Sequence, residues 1–287
     1  MPLPADLPVV DHHAHLSPRG EGVEAARRFA RAGGTHLFLA TQNYGTTPPS
    51  ALDDYRAQFE TTRALADRIR AETGVVVYAV VAPYPVDLVT VAPRLGVAEA
   101  LALQLDALDL AGRYVRERRA VALGEVGLPH FEVPPEVGAA CDRAFDAALA
   151  VAHDVGCPAV VHSADLDARG YADLADRGRR AGLPPGRIVK HYARARVTER
   201  AGIVPSYLAR REIVRDVRAD PAPWFLETDF LDDPARPGAV LDLSTVPRRA
   251  EAALRADPSA AEWLRRPFET SIEQVYGWRP ELGRSGR

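Results

Sequence analysis

Lysine is almost absent from this chain: of 36 basic residues, only Lys190 is not arginine. A coding bias accounts for so general a replacement, and the one survivor invites the question of what its position demands. Cysteine is nearly as scarce. Cys141 and Cys157 stand alone without a CxxC spacing, which excludes a disulfide scaffold and leaves two buried thiols as the expectation. No apolar run approaches the length that spans a bilayer. Met1 to Leu7 lacks the positive and apolar regions of a signal peptide, so a cytoplasmic protein is expected. Neither sign of charge dominates, and a formal net charge of -3 argues against a generic nucleic-acid coat or a membrane-surface protein. Internal repeats and low-complexity blocks are also missing.

What is present is a 47% apolar, 26% charged chain of 287 residues, enough for a sizeable core in either two ordinary domains or one large α/β barrel. The order of elements favours the barrel. Apolar strands are expected from Val9, at Thr35 to Thr41, Val75 to Ala82, Val121 to Val126, Pro158 to His162, Ile188 to His191, Ile203 to Ser206 and Trp224 to Asp229. Helical spacing intervenes at Glu21 to Ala32, from Leu52 to Gly74, at Val97 to Arg119 with a break, at Ala139 to Val155, at Tyr171 to Ala181 and at Ala209 to Val217. No linker-like shift in composition divides them. The expected fold is a single-domain (β/α)8 TIM-type barrel over residues 1–287, with an extension from about residue 234 to 287 packed on it. Helices are expected in that extension near Arg248 to Arg255 and Phe268 to Tyr276.

Val9 to Leu16 carries the first chemical signal, Val-Val-Asp-His-His-Ala-His-Leu. Strand alternation puts Asp11, His13 and His15 on one face, with His12 and Ala14 on the other. Two imidazoles spaced i, i+2 at a strand end can reach one divalent ion, and Asp11 can orient them from behind. A chance histidine-rich turn is the alternative. In a barrel the active site lies at the carboxyl ends of the strands, so the ends of the other strands decide between them. Strand four ends in Glu125 within Gly124-Glu125-Val126-Gly127, strand five in His162, strand six in His191 and strand eight in Asp229. Each alone reads as a hydrogen-bonded core residue or a loop cap. Six such residues at five strand ends are hard to ascribe to coincidence.

The ordered set HxH, GExG glutamate, two separate histidines and Glu-Thr-Asp resembles the TatD-like metal-dependent hydrolases of the amidohydrolase superfamily, over Val9 to about Asp233. The segment Glu227-Thr-Asp-Phe-Leu-Asp-Asp-Pro234 is more similar to the archaeal-type TatD-related hydrolases than to the bacterial pattern. Departures are Ser163-Ala164 where that pattern has an arginine, Tyr192-Ala193 for a Cys-Phe pair, and Pro129-His130 where an Asp is expected. The branch of the superfamily with a carboxylated lysine ends strand four in that lysine. Here Glu125 holds the position.

The resemblance implies an amidohydrolase-like barrel with two divalent ions. One is held by His13, His15, Glu125 and Asp229, the other by Glu125, His162 and His191, so that Glu125 bridges. Asp229, with Glu125, is then the catalytic candidate, Asp229 orienting the attacking water and taking its proton. Mixed imidazole and carboxylate ligands suit Zn first, then Mn, with Mg less suited. Asp11 and Glu227 each stand two residues before a ligand and are expected one layer below the metals. His130 and Arg194 are expected at the substrate.

Two substrate classes compete. A phosphodiesterase or deoxyribonuclease acting on DNA ends is favoured by the resemblance and by Arg194, Arg196 and Arg200, which can meet phosphates or simply line a solvated face. A small-molecule amidohydrolase, lactonase or phosphoesterase is favoured by the negative net charge and the missing arginine after His162. A non-catalytic metal-binding protein is third, disfavoured because these ligands meet at an open barrel mouth rather than a closed shell. No membrane partner and no stable nucleic-acid complex are expected, and the sequence sets no oligomeric state. Lys190 should face the layer between barrel and helices, where its ammonium must pair with a carboxylate or reach the rim. Replacing it by Arg or Met should lower stability and leave metal content intact.

Overall fold

Apolar strands alternating with amphipathic helices bury both faces of a parallel sheet under helices, and in this chain the sheet curls inside a helical ring. The computed structural model describes residues 3–233, 235, 236 and 240–282. Its strands are β1 (Val10–His15), β2 (His36–Ala40), β3 (Val76–Val81), β4 (Ala122–Gly127), β5 (Ala159–His162), β6 (Ile188–Ala193), β7 (Val204–Leu208), β8 (Phe225–Glu227) and β9 (Phe230–Leu231). All pair in parallel, in the order β8-β7-β6-β5-β4-β3-β2-β1-β9. The helices between them are α1 (Val23–Arg31), α2 (Leu52–Thr73), α3 (Asp87–Leu95), α4 (Val97–Arg116), α5 (Pro135–Val155), α6 (Ala168–Arg180) and α7 (Arg211–Val217). Among the described residues no helix is long and apolar enough to cross a membrane.

Side-chain alternation sorts the strands into two packing layers. Val10, Phe38, Val80, Ala122, Val160 and Val189 meet in one apolar cluster inside the barrel. Leu37 and Leu39 instead pack on Val23, Phe29, Leu65 and Ile69 of α1 and α2. Leu123, Val161 and Ile188 pack outward on Leu108, Leu149 and Leu174 of α4, α5 and α6. Each large apolar side chain buried this way contributes about 1.5–3 kcal/mol.

The expected eighth strand is split. β8 pairs with β7 and β9 with β1, so the two pieces together close the ring. The break falls at Thr228 and Asp229, where Asp229 has φ 47°, a left-handed conformation that Asp tolerates better than most residues. Its N–H still donates to the His13 carbonyl at 2.9 Å, which keeps the seam bonded.

β1 departs from simple alternation. Its register against β2 slips between Asp11 and Ala14, a bulge that turns both His12 and His13 away from the outer layer that holds Ala14. His12 is the residue one layer down, stacked on Phe225 at 3.9 Å and bonded through Nε2 to the Tyr276 hydroxyl at 2.9 Å. Asp11 therefore does not share a face with His13. Its carboxylate accepts from the Thr228 hydroxyl (2.7 Å), the Thr228 N–H (3.1 Å) and the His13 N–H (3.2 Å), touching backbone and hydroxyl rather than imidazole.

Other expectations also need correction. The helical break expected within residues 97–119 lies before them, at Gly96 with φ 89°, and α4 is continuous. β7 begins and ends later than the sequence suggested, and the connection from β6 to β7 has no helix. Arg200 pins that connection instead, buried and paired with both oxygens of Asp220 at 3.0 and 3.2 Å. Arg196, which is exposed, also turns to Asp220 at 3.4 Å.

Lys190 does face outward, in register with Val161 of the outer layer, but it is buried and among the described residues pairs with no carboxylate. Its Nζ donates to the His191 carbonyl at 2.5 Å, and burial draws its pKa down to about 8 despite the nearby Glu227, Asp165 and Glu125.

After β9 the chain adds α8 (Thr245–Ala256), α9 (Ala260–Arg265), a π-helical turn at Arg266–Thr270 and α10 (Ser271–Tyr276). Leu264, Phe268, Ile272, Val275 and Tyr276 join the interior cluster of the strands. His36, at the start of β2, meets the Glu281 carbonyl at 3.2 Å, so the tail crosses the amino-terminal end of the barrel. Pro234, the expected first residue of the extension, lies outside the described residues.

Candidate active site

The carboxyl ends of β1, β4, β5, β6 and β8 converge on Glu125. Its Oε1 lies 2.7 Å from His191 Nε2, 3.2 Å from His13 Nε2, 3.7 Å from His162 Nδ1 and 3.9 Å from His15 Nε2. Asp229 Oδ1 stands 3.7 Å from His15 and 3.8 Å from His13. Two glycines make this approach feasible. A Cβ on Gly124 would come within 2.7 Å of Val160, and one on Gly127 within 2.0 Å of the His162 carbonyl oxygen. The GExG spacing is therefore steric: β4 must pass this close to β5 for Glu125 to reach His162.

The ligand-type atoms fall into three groups whose members lie within 4.8 Å of one another: His13, His15, Glu125 and Asp229; Glu125, His162 and His191; and His13, His191 and Glu227. The first two groups have the compositions that the resemblance implied. Glu227 sits under the site, with Oε1 3.6 Å from His191 Nδ1 and accepting the Tyr192 N–H at 2.6 Å. This is the position from which a carboxylate orients an imidazole.

The electrostatics fit cations. Burial opposes charge on Glu125, but His191, His13 and His162 overcome it and hold its carboxyl well below the usual range. Burial pushes Asp229 well above its usual value, and the neighbouring Glu227, Glu125 and Asp11 add to the shift beyond what His191 relieves. His15 is driven down to about 4 by burial, which leaves it a neutral donor. His191, though buried, is raised to about 10 by Glu125 and Glu227. Two buried carboxylates and the partly buried Asp229 thus share four imidazoles, and among the described residues none of the three carboxylates is paired with a lysine or arginine. Such a cluster is costly unless positive charge enters it, and the mixed nitrogen and oxygen donor set matches a divalent metal.

The cluster floors an open cavity of about 790 Å³, the size of a small-molecule site. His130 stands on its wall, Nδ1 3.0 Å from His162 Nε2. Arg194 lines it too, half exposed, with its guanidinium held by Asp165. Residues assigned no role from the sequence complete the walls: Thr41 and Asn43 after β2, Tyr84 after β3 and Arg236 beyond β9, together with Tyr192 in β6. Tyr84 lies two residues beyond the apolar run of strand three, between Pro83 and Pro85, and a neutral residue in a loop does not stand out when ligands are sought.

A profile of the family described as TatD related DNase matches residues 10–277. The chain is 29% identical over 281 residues to an uncharacterised protein of Methanocaldococcus jannaschii, covering 96% of this chain and 98% of the relative. Its fold is similar to the TatD-like protein of Archaeoglobus fulgidus, at 14% identity and TM-score 0.59, over 89% of this chain and 99% of that one. It is likewise similar to the TatD homologue YjjV of Escherichia coli, at 19% identity and TM-score 0.60, over 94% and 98%.

Proposed function

The chain belongs to the TatD-related DNase family of metal-dependent hydrolases, and from that premise we propose that it is a two-metal phosphodiesterase acting on small phosphodiesters or DNA ends. The observation that carries this reading is the convergence of four imidazoles on one oxygen of Glu125 at the floor of an open cavity. His13, His15, Glu125 and Asp229 would hold one ion and Glu125, His162 and His191 the other, with Zn the best match to these donors and Mn next. Divalent ions bound there supply a water whose pKa falls from about 15.7 to about 7, and charge to offset the oxygens of the scissile group.

The remaining steps belong to the protein. Asp229, at the edge of the cluster beside His13 and His15, accepts the proton of the attacking water. Glu227 holds His191 from behind, fixing the ring that faces Glu125. The Asp11 carboxylate bonds the backbone of His13 and Thr228 and so locks the β1–β8 seam from which His13 and Asp229 project. Arg194 and Arg236 on the cavity wall favour an anionic group, His130 stands where it can contact the substrate, and the net charge of -3 favours a DNA end visited and released over a stable complex.

One observation favours a second reading, a small amide or lactone. Arg194 is tied to Asp165 and His162 is followed by Ser163-Ala164, so much of the wall is neutral. Protein loaded with Zn or Mn should hydrolyse bis(p-nitrophenyl) phosphate or shorten single-stranded DNA from an end. Turnover of esters, lactones or amides alone would overturn the phosphodiester reading in favour of the second.

A further inference from the structure

Tyr84 enters the cavity from the loop after β3, a strand that supplies no ligand-type residue to the cluster. Its ring meets His162 edge-on, with centroids 5.3 Å apart at 74°, and among the described residues its hydroxyl has no hydrogen-bond partner. The backbone beneath it is held from several sides. Its N–H donates to Asp87 Oδ2 at 3.2 Å, and its carbonyl accepts from the Asp87 N–H at 3.0 Å and from Gln104 Nε2 at 3.2 Å. Asp87, Gln104 and Tyr55, whose hydroxyl reaches Gln104 Oε1 at 3.4 Å, are all buried. Pro83 and Pro85 flank the tyrosine and restrict its dihedral angles further. Burying a carboxylate and an amide to fix one tyrosine is expensive, and packing a ring against His162 does not require it.

We propose that Tyr84 is a catalytic residue: its hydroxyl donates a hydrogen bond to the substrate oxygen on which negative charge grows as water attacks, while Asp87 and Gln104 position it. No bond to Tyr84 forms or breaks, and its proton stays on the phenol. Donors fixed in advance toward a developing charge act in this way because they need no reorganisation during the reaction. The inference rests on the proposed hydrolytic reading of the cavity.

Tyr84→Phe separates the two roles, since it keeps the edge contact with His162 and removes only the hydroxyl. In Zn-loaded protein it should lower kcat on bis(p-nitrophenyl) phosphate about 100-fold with KM and metal content nearly unchanged. It should also weaken the binding of orthovanadate, which can adopt the geometry of the attacked phosphorus, measured by calorimetry without turnover. Asp87→Ala should lower kcat in the wild-type background and add nothing in Tyr84→Phe, whereas Asp87→Asn, which retains an acceptor for the Tyr84 N–H, should restore it. If Tyr84→Phe matches wild type in kcat and vanadate affinity while Tyr84→Ala does not, the ring merely props His162 and the inference is overturned. If wild type hydrolyses no phosphodiester, ester or amide, the hydrolytic reading of the cavity fails. Vanadate then decides for Tyr84 separately: equal affinity in wild type and Tyr84→Phe, or no binding by either, overturns the inference as well.

Discussion

Glu125 is the residue on which both candidate metal groups depend, because its carboxylate is common to them and every other member of either group is not. Glu125→Ala should therefore reduce bound Zn to below one ion per chain. His162→Ala should retain about one, read by elemental analysis after dialysis against limiting chelator. Equal losses in the two variants would show that the groups do not share this ligand. The candidates were legible in the sequence because ligating residues are chemically conspicuous and apolar runs locate the strand ends that present them. Orientation was less so. Alternation predicted that Asp11 would look into the barrel, and the β1 bulge gave that place to His12, because one extra residue in a strand reverses every side chain beyond it. Lys190 shows a different limit: the outward direction follows from parity, but the carbonyl that receives its ammonium belongs to the next residue, and no pattern of side chains announces a backbone partner.

Among the elements, β9 and the connection from β1 to α1 are tied by one carboxylate. Asp232 accepts the N–H groups of Ser17 (2.9 Å), Glu21 (2.8 Å) and Gly22 (2.7 Å), and its own N–H donates to the His15 carbonyl at 3.0 Å. Gly20 must lack a side chain here, since a Cβ would lie 2.1 Å from the Asp232 carboxylate. Asp232→Ala would strand three donors, those of Ser17 and Gly22 buried, and should cost about 1–3 kcal/mol in denaturant unfolding. A change under about 0.5 kcal/mol would mean that water replaces the carboxylate freely. The Glu-Thr-Asp-Phe-Leu-Asp-Asp segment thus serves both chemistry and architecture. The elements that sequence reasoning missed share a physical cause. α3 is rich in β-branched residues and contains Pro93, so its helical propensity is poor and packing against α4 and α5 holds it. β9 is two residues long, too short for any periodicity to register.

At the scale of the whole molecule, the barrel is stoppered at one end and open at the other. The tail lays Tyr276 and Trp278 against Phe38 and Tyr78, leaving the carboxyl ends of the strands as the open mouth over the ligand cluster. Charge is distributed to match, with carboxylates gathered at the cavity floor and arginines on its wall. Divalent cations would offset the carboxylates gathered there. The direct measurement is anomalous diffraction from crystals of the Zn-loaded protein, recorded on both sides of the Zn absorption edge. Two peaks are predicted, one beside His13, His15 and Asp229 and one beside His162 and His191, with Glu125 between them. A single peak, or peaks away from Glu125, would contradict the two-metal account.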